Sequence, residues 1–533
     1  MRSIRILDCT LRDGGFINDW KFGIGSIKSI ISRLSKSGID IIEIGFIDQR
    51  RNYDADRTIV PNSGSIDPIL KNIDTRKSMI VGMIDYGTCD IDKIKDQKNS
   101  CIDGIRVIFK KKDQDNALAF LSQLKEKGYK IFVQPVSITS YSKDDVLSII
   151  EKINKIKPYA VSVVDTYGLM HKTELLVYFS LFDEHLDDSI VIGYHSHNNF
   201  QLAYSNSIEL IKTHSNRDLV IDSSLYGMGK GAGNANTELI AMYLNENFSM
   251  KYDIDQLLEA IDVDIMKEFE KHSWGYSLLY YISALNDCHP DYVNVLLSKK
   301  TLAVRSVNEI LGKIPAEKKL SFSKDLLESL YSDYQNKECG DVESYARLKA
   351  ELFGRPILLL GPGTSIIKES DKIRDYIRDN DPVTFSINFI NDQYDIDYVF
   401  MGNAKRYSQF FHKIYGDDQK CKVICTSNIS QSTKKIDFVF NYLDLSLDIE
   451  SVSDNPLLML LQILKKCGIE KVVLAGFDGY KSDNADNYYN EYIPFLYCDK
   501  DVMKRNENIA SYLEKINQNM EITSLTKTMY LRN

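Results

Sequence analysis

Three side chains in the N-terminal half have the types and spacing to bind a divalent metal ion. Asp13 lies in LDCTLRDGG, at the end of an apolar run, and His195 and His197 stand two residues apart in GYHSHNN. Alternate residues of a strand point the same way, so the imidazoles of an H-x-H pair can converge on one ion. One carboxylate and two imidazoles suit Mg²⁺, Mn²⁺ or Zn²⁺ and leave positions for substrate and water. The ordinary alternative is a pair of polar histidines that bind nothing.

Arg12, directly before Asp13, adds a cation to this group. The enolate of a 2-keto acid carries a carboxylate and an oxyanion, and a metal ion and a guanidinium together can hold both. The group therefore indicates chemistry on the enolate of a 2-keto acid. A salt bridge to a neighbouring carboxylate is the structural alternative for Arg12.

A glycine-rich stretch, GMGKGAGN, follows the last apolar run of this half. Gly231 follows Lys230 where a phosphate-binding P-loop needs Ser or Thr, so the stretch does not fit that motif. We interpret it as a tight loop whose backbone approaches the metal site. Asn234 at its end is then a fourth metal ligand or binds a ligand water, unless it caps the helix predicted in NANTELIAMYL.

Eight short apolar runs, each followed by a helical stretch, must position these residues. Segments such as IDIIEIGF and KIFVQPV are typical of parallel strands that are covered on both faces. Eight β-then-α units in ~250 residues predict a (β/α)8 TIM barrel, with its active site at the carboxyl ends of the strands. An open doubly wound sheet is the alternative, and no run marks a switch point for it. The predicted strands are Ile4–Leu11, Ile39–Phe46, Ser78–Ile84, Gly104–Lys110, Lys130–Val136, Ala160–Thr166, Ser189–His197 and Asp218–Leu225.

The chain of 533 residues is too long for one core, since single cores stop growing at ~250–300 residues. We assign residues 1–250 to the catalytic barrel, 251–350 to a helical extension and connector, and 351–533 to a Rossmann-like α/β domain. In the last, RPILLLGPGTSI predicts a strand, a turn and a helix whose first N–H groups suit a phosphate; a plain tight turn is the alternative. Later strands are predicted at Val383–Asn388, Tyr398–Met401, Lys422–Thr426, Asp437–Asn441 and Lys471–Gly476.

Composition and charge exclude several classes. The net charge of −9 argues against non-specific nucleic-acid binding, which needs a basic face. The N-terminus lacks the apolar segment of a signal peptide, and no stretch approaches the ~20 apolar residues of a membrane span. Nine scattered cysteines indicate free thiols in a reducing cytoplasm rather than a zinc site at Cys421 and Cys425. We therefore expect a cytoplasmic protein, either a monomer or a homo-oligomer.

Together, L-D-C-T-L-R-D-G, H-S-H-N-N and G-M-G-K-G-A-G-N-A-N-T-E resemble the motifs of the metal-dependent pyruvate aldolase and Claisen-synthase superfamily. The resemblance covers residues 4–245 and is closest to 4-hydroxy-2-oxovalerate aldolase; hydroxymethylglutaryl-CoA lyase and isopropylmalate synthase are other members. It implies a divalent-metal-dependent aldolase that joins pyruvate and an aldehyde, or cleaves a 4-hydroxy-2-keto acid, through a metal-bound enolate. The family roles fall on the enolate-stabilising Arg12, the metal ligands Asp13, His195 and His197, the fourth ligand Asn234 and the supporting residue Glu43.

One position departs from the hydroxyoxovalerate aldolases. Their acid/base histidine, three residues after the metal aspartate, corresponds to Phe16 in this sequence. The proton shuttle must therefore be another group or a metal-bound water. The candidates are Tyr141, Tyr167, Tyr276 and His289, the last two in WGYSLLYYISALNDCHP, and core packing is the alternative for each.

The C-terminal region resembles the Rossmann-like sialyltransferases of bacterial surface glycans over residues 355–490. The shared features are the Gly-Pro opening, an Asn-containing strand in mid-domain and the late AGFDGY. They imply a nucleotide or nucleotide-sugar site lined by Gly361, Gly363, Asn388, Asn403 and Asp478. Our leading hypothesis is an aldolase acting in surface-polysaccharide sugar biosynthesis. The alternatives are a glycosyltransferase or nucleotide-sugar-binding protein, an acyl-CoA-dependent Claisen synthase, and a non-catalytic scaffold.

Overall fold

A computed structural model describes residues 2–75, 78–299, 302–416, 421–429, 436–449, 451–481, 487–490, 493 and 502–531. The chain divides into two compact units, Met1–Pro290 and Asp291–Asn533. The boundary falls inside the stretch expected as a helical extension. Each unit contains its own parallel sheet. No helix in the described ranges combines the length and the apolar character needed to cross a membrane.

Eight parallel strands close a barrel in the first unit, as predicted. Strand β1 pairs with β2 on one side and with β9 on the other, which closes the sheet. The short β3 pairs with β2 outside the barrel and was not predicted. The strands of this unit are β1 (Ile4–Asp8), β2 (Ile41–Ile47), β3 (Ile59–Val60), β4 (Met79–Asp85), β5 (Gly104–Phe109), β6 (Lys130–Pro135), β7 (Ala160–Asp165), β8 (Val191–Ser196) and β9 (Leu219–Ser223).

Helices cover the barrel and share one apolar core with its strands. In the second helix, Ile27, Ile31 and Leu34 recur at helical spacing and are buried in that core. The ninth and tenth helices are joined by a π-helical turn, Ile261–Ile265. The helices are α1 (Gly15–Asn18), α2 (Ile24–Ser37), α3 (Asp67–Leu70), α4 (Gln114–Glu126), α5 (Lys143–Ile156), α6 (Lys172–His185), α7 (Ala203–Ile211), α8 (Thr237–Phe248), α9 (Ile254–Ala260), α10 (Met266–Lys271) and α11 (Leu278–Leu285).

The second unit contains a seven-stranded parallel sheet in the order β14-β13-β12-β11-β10-β15-β16. Its strands are β10 (Ile357–Leu360), β11 (Val383–Ile387), β12 (Tyr398–Met401), β13 (Lys422–Thr426), β14 (Phe438–Phe440), β15 (Lys471–Ala475) and β16 (Glu521–Ser524). All but β16 were predicted. The strand β16 has only one buried residue, so it lacks the apolar run by which the others are recognised.

Helices cover both faces of this sheet. In β10, Leu359 belongs to one apolar cluster and Leu358 to another, because successive side chains of a strand point to opposite faces. This two-sided cover is the layer arrangement expected of a Rossmann-like domain. The helices are α12 (Pro290–Ser298), α13 (Val304–Leu311), α14 (Ala316–Lys319), α15 (Lys324–Gln335), α16 (Val342–Leu352), α17 (Ser365–Lys368), α18 (Ser370–Asn380), α19 (Ala404–Ile414), α20 (Tyr442–Leu445), α21 (Pro456–Lys466) and α22 (Val502–Asn517).

Candidate metal centre

Asp13, His195 and His197 meet at the carboxyl end of the barrel. Asp13 lies in the turn that follows β1, and the two histidines lie on either side of Ser196, the last residue of β8. One carboxylate oxygen or ring nitrogen from each of the three lies within 4.8 Å of those of the other two, and all three residues are buried. The structure therefore brings together the three residues that the sequence singled out.

Asn234 joins this group from the glycine-rich loop after β9. Its Nδ2 donates to Asp13 Oδ2 at 2.7 Å, and its backbone pairs with that of His197. Its Oδ1 is buried and has no hydrogen-bond partner among the described residues. The capping alternative does not hold, because Asn236 is the N-cap of α8. A buried amide oxygen without a donor fits a ligand of a cation.

The glycine-rich loop packs its backbone against the Asp13 carboxylate. The Lys230 N–H donates to Asp13 Oδ2 at 3.1 Å. A Cβ at Gly229 would lie 2.6 Å from the same oxygen, far inside van der Waals contact. On the other side, the Gly233 carbonyl oxygen lies 3.3 Å from His197 Nδ1. That contact leaves His197 Nε2 as the nitrogen available to a metal.

A buried network of alternating charges supports these residues. Arg12 donates from Nη1 to Asp13 at 2.6 Å and from Nε to Glu43 at 2.7 Å. Arg106 Nη1 lies 3.1 Å from Glu43, and Arg106 Nη2 pairs with Asp222. All five side chains are buried. Three carboxylates thus face two guanidinium groups, and the remaining negative charge fits a site that holds a cation.

Asp222, which no motif singled out, extends the network to His195. Its Oδ2 lies 3.0 Å from His195 Nδ1. Such a contact orients the imidazole and directs the other ring nitrogen toward a metal. The signal for Asp222 and Arg106 is a single charge inside an otherwise apolar strand, LVIDS and GIRVIF. A charge placed there is buried and needs a partner.

Burial and neighbouring charges set the ionisation of the site. Against the opposing effect of burial, Arg12 and the two histidines hold the pKa of Asp13 below its usual range. Burial lowers the pKa of His197 to about 4, so its ring is neutral and can bind a metal at neutral pH. Against burial again, Glu43 and Asp13 raise the pKa of Arg12. The site therefore combines an anionic oxygen, a neutral imidazole and a permanent cation.

Phe16 lies next to the site, and its N–H donates to the Asp13 carbonyl oxygen at 3.2 Å. It is 42% exposed, and its ring centroid lies 4.8 Å from that of Trp20 and 6.2 Å from that of Phe46. Lys230 Nζ lies 5.4 Å from the Phe16 centroid. No ion pair joins Lys230 to another residue in the described part of the chain. In the sequence, Lys230 does not fit a P-loop, and no other pattern there indicates the ammonium group that the structure places beside the site.

The acid/base candidates occupy different surroundings. Tyr276 is 63% exposed and its ring contacts that of Tyr281 at 6.3 Å, so the structure does not bring it to the metal-binding residues. Tyr141 is buried in the barrel core, and burial raises the pKa of its hydroxyl to about 12. Tyr167 follows β7, and its ring lies 6.1 Å from that of His289. Of the candidates, this last pair is placed at the carboxyl edge of the barrel.

The segment 274–289 lies along the loops at that edge. Trp274 Nε1 donates to the Tyr226 carbonyl at 2.9 Å, after β9. The ring of Tyr281 contacts that of Phe200, after β8, at 5.9 Å. The His289 ring contacts that of Tyr167, after β7. The segment therefore touches the loops that follow β7, β8 and β9. It therefore covers one side of the mouth of the barrel.

Four of the five residues predicted to line a site in the second unit do line one cleft. They are Gly363, Asn388, Asn403 and Asp478. Gly361 does not line it; a Cβ there would lie 2.6 Å from the Gly476 carbonyl oxygen, so this glycine allows two strand ends to approach. The helix start expected to suit a phosphate receives the Asp478 carboxylate instead, which accepts from the Ser365 N–H at 2.9 Å.

The match to a family model concerns the barrel. Residues 3–263 match the HMGL-like family. The chain is 24% identical over 264 residues to a 4-hydroxy-2-oxovalerate aldolase of Geobacillus genomosp. 3, an alignment that covers 49% of this chain and 76% of that protein. It is 23% identical over 279 residues to an oxaloacetate decarboxylase of Mycobacterium tuberculosis, with the same coverage of 49% and 76%.

Among solved structures, an HMG-CoA lyase of Bacillus subtilis aligns with a TM-score of 0.40 and 16% identity, covering 50% of this chain and 93% of that one. The family match and the sequence relatives confirm the resemblance inferred from the three motifs. The barrel is thus similar to the aldolases and lyases of the HMGL-like superfamily. The resemblance of the second unit to sialyltransferases stays a prediction.

Proposed function

We propose that the barrel is a divalent-metal-dependent aldolase that forms or cleaves a carbon–carbon bond next to the keto group of pyruvate. The observation that carries the proposal is the buried group of Asp13, His195 and His197, with Arg12 donating to Asp13 at 2.6 Å, at the mouth of an HMGL-like barrel. The product of the forward reaction is a 4-hydroxy-2-keto acid.

Asp13, His195 and His197 would hold the metal, with Asn234 Oδ1 as the fourth ligand. The mixture of oxygen and imidazole donors suits Mn²⁺ or Mg²⁺, and Zn²⁺ is the third choice. A bound divalent ion supplies Lewis acidity, which polarises a keto oxygen and makes the neighbouring methyl group more acidic. The orphaned Asn234 Oδ1 and the uncompensated negative charge of the network support this assignment.

Arg12 would stabilise the developing oxyanion. Its Nε and Nη1 are already engaged by Glu43 and Asp13, which fix the plane of the guanidinium group. Its Nη2 donates to no group in the described part of the chain. A preorganised donor that is aimed where charge develops needs no reorganisation during the reaction.

Lys230 would bind an oxygen of the substrate at the entrance. In this sequence Phe16 stands where the hydroxyoxovalerate aldolases have their acid/base histidine, and Lys230 Nζ lies over its ring. An ammonium group at that point can donate a charge-assisted hydrogen bond to a carboxylate or hydroxyl of the reacting molecule. We assign the proton shuttle to His289, which lies beside Tyr167 after β7, because Tyr276 is largely exposed.

Exchange of the pyruvate methyl protons tests the proposal directly. The full-length protein is incubated with pyruvate in deuterated water with Mn²⁺, Mg²⁺ or Zn²⁺, and loss of the methyl signal is followed by NMR. We expect exchange in the wild type and none in Asp13→Asn, whereas Asp262→Asn, at an exposed position of the same unit, retains it. Absence of exchange with all three metals would refute the proposal.

Two substrates then separate the members of the class. One relative is named 4-hydroxy-2-oxovalerate aldolase and another oxaloacetate decarboxylase, and both reactions release pyruvate. We expect faster release from 4-hydroxy-2-oxovalerate, as the proposed aldolase activity requires. Faster release from oxaloacetate would assign the barrel to decarboxylation instead.

We further propose that the reaction serves the biosynthesis of a surface-polysaccharide sugar in the cytoplasm. The support is the presence, on one chain, of an enolate-forming barrel and a Rossmann-like unit with a polar cleft. Under this proposal residues 1–250 are the catalytic domain and 351–533 the ligand-binding domain. Assay of aldehyde sugars as pyruvate acceptors tests it, and turnover only with short aliphatic aldehydes would count against it.

A further inference from the structure

A cleft of the second unit opens at the point where the strand order of its sheet reverses. From β10 the chain proceeds outward through β11, β12 and β13 to β14 on one side of the sheet. The last two strands, β15 and β16, lie on the other side of β10. Ligands of open parallel sheets bind outside the carboxyl ends of the strands at such a switch point. The cleft has a volume of about 800 Å³, counting the space at its mouth, and is lined by residues that directly follow β10 and β15, among them Gly363 and Phe477.

Two helices of eleven residues each start at this cleft. Asn403, the N-cap of α19, and Asn455, the N-cap of α21, both line it. The start of a helix carries a partial positive charge and free N–H groups. Neither helix has an acidic residue in its first turn to offset that charge. The cleft therefore faces two uncompensated positive helix ends.

The capping side chains present amide donors as well. Asn403 Oδ1 accepts from the Lys405 N–H at 2.9 Å, and Asn455 Oδ1 accepts from the Leu458 N–H at 3.2 Å. These bonds determine which end of each amide faces the helix, so Nδ2 is the group left over. Neither Nδ2 has an acceptor among the described residues, although Asn403 and Asn455 are only 7% and 3% exposed. Both residues line the cleft, so each Nδ2 is a donor that a bound ligand can engage.

A third amide and a cation complete this donor-rich surface. Asn388 adopts a left-handed φ of 58°, and its Oδ1 accepts from the Gly402 N–H at 3.0 Å, which again leaves Nδ2. Asparagine adopts this conformation more readily than most residues. Arg406, in the first turn of α19, is buried and also lines the cleft. The one carboxylate in the lining, Asp478, is engaged by Ser365 at the start of α17.

Aromatic side chains form the rest of the wall. The cleft is lined by the rings of Phe477, Tyr480, Tyr488 and Tyr530. The Arg406 guanidinium carbon lies 5.5 Å from the centroid of the Tyr488 ring. The cationic and aromatic parts of the lining are therefore adjacent. Flat rings stack on such side chains, while a phosphate binds to the neighbouring donors.

We propose that this cleft binds a nucleotide, with its phosphate at the starts of α19 and α21 beside Arg406 and its base against Tyr480 and Tyr488. Four residues that the sequence predicted for a nucleotide site line this cleft, but the phosphate is placed at α19 and α21 and not at the start of α17, where Asp478 occupies the Ser365 N–H. The assignment rests on the second unit alone and does not depend on the proposed activity of the barrel.

Conservative substitution of the caps tests the proposal without removing them. Aspartate is as good an N-cap as asparagine, so Asn403→Asp and Asn455→Asp keep the bond to the helix but replace the Nδ2 donor with an anionic oxygen. Binding of CMP, UDP, ADP, GDP and inorganic pyrophosphate to the full-length protein is measured by calorimetry. We expect at least one nucleotide to bind and each substitution to weaken that binding by tenfold or more. The exposed neighbour Lys405→Gln serves as the matched control and should change it less than threefold.

The alternatives give different results. Failure of all four nucleotides to bind overturns the proposal. Nucleotide binding that survives both aspartate substitutions places the ligand elsewhere and overturns it too. Pyrophosphate that binds as tightly as the best nucleotide overturns the assignment of the tyrosines to the base. Circular dichroism and melting temperatures of both variants, expected to match the wild type, show that the loss of binding is not a loss of fold.

Discussion

The Asp13 carboxylate is contacted by several groups at once. It accepts from Arg12, from Asn234 and from the backbone of Lys230, and it lies within reach of His197. Its charge is thus held in place from three sides before any ligand binds. Preorganisation of this kind lowers the cost of assembling a metal site, because the ligand atoms do not have to be gathered at the moment of binding.

Asp222 is predicted to act through His195. Asp222→Asn removes the carboxylate that faces Nδ1 of the imidazole, so we expect Mn²⁺ affinity to fall by about 10- to 100-fold. Titration calorimetry with Mn²⁺ measures the change. Asp165→Asn, at the buried carboxylate that ends the neighbouring strand β7, is the control and should leave the affinity within about threefold. Equal affinities of wild type and Asp222→Asn would show that the contact does not position the ring.

Lys230 is predicted to affect turnover rather than metal binding. A charge-assisted hydrogen bond contributes ~1.5–3 kcal/mol, so Lys230→Met should lower kcat/KM for 4-hydroxy-2-oxovalerate by roughly 10- to 100-fold. Lys230→Arg should recover part of the lost kcat/KM. The exposed Lys251→Met should leave kcat/KM unchanged. Steady-state rates of pyruvate release measure these effects. Undiminished turnover in Lys230→Met would remove Lys230 from the site.

The residues that the sequence could predict are those that carry a recognisable motif. Asp13, His195 and His197 follow strand ends in three motifs, and the structure brings them together. Glu43 could be given only a supporting role, because one carboxylate in an apolar strand does not reveal its partner. Arg106 stands on a strand whose distance from β2 in the chain hides their contact. An ion pair across the barrel forms only when the sheet closes. The order of residues along the chain does not show which strands closure brings together.

Strands buried on both faces were predicted with limits that differ from the observed ones by at most three residues. The run Tyr398–Met401 matches β12, since an apolar segment between polar ends leaves little freedom in its limits. Elements without such a run were missed. These are the two-residue β3, which pairs with β2, and the half-exposed β16, which pairs with β15. Both form by hydrogen bonding to the neighbouring strand, and their own residues carry no strand pattern. The helix start at Ser365 was predicted, but the carboxylate that occupies it comes from Asp478, far along the chain.

The loop after β9 is predicted to tolerate no side chain at Gly229. A Cβ there would press on Asp13 Oδ2, so Gly229→Ala should displace the loop and reduce Mn²⁺ affinity by at least tenfold while the barrel stays folded. Gly25→Ala, in α2 with no atom within 4 Å of the new Cβ, is the matched control. Calorimetry gives the affinity and circular dichroism the fold. Normal metal binding in Gly229→Ala would contradict the close packing of the loop.

The end of β7 is predicted to make stability depend on pH. Burial raises the pKa of Asp165 to about 7, against ~3.9 in an unfolded chain. Between these values the folded state holds a proton that the unfolded state has released, so stability is greatest at the acidic end and falls as pH rises, by up to ~1.4 kcal/mol per pH unit. We expect the melting temperature of Asp165→Asn, relative to wild type in EDTA, to rise between about pH 4.5 and about pH 7.5.

The control for this prediction is Asp262→Asn, at an exposed position of the same unit. Its melting temperature relative to wild type should be the same at both ends of the pH range. A difference for Asp165→Asn that also stays constant with pH would mean that Asp165 is ionised throughout, held by the backbone N–H groups of Leu169 and Met170.

The molecule as a whole is predicted to melt in two steps that respond to different ligands. Each unit has its own apolar core. A ligand stabilises the part that binds it by ~2.7 kcal/mol at a hundred times its dissociation constant. Mn²⁺ should therefore raise the temperature of one calorimetric transition, and a bound nucleotide should raise the temperature of the other. Asp13→Asn should abolish the first shift and leave the second. One transition that moves with either ligand would show that the two units unfold together.

Closure of the barrel also has a consequence for synthesis of the protein. Asp13 follows the first strand, whereas Asn234, which bonds to it, follows the last and lies 221 residues further along the chain. A growing chain on the ribosome therefore carries its first metal ligand long before the partners of that ligand exist. A chain that stops short of β9 lacks Asn234 and the glycine-rich loop that hold the Asp13 carboxylate. Retention of metal is thus a property of the finished barrel alone, and metal content would separate complete molecules from aborted ones.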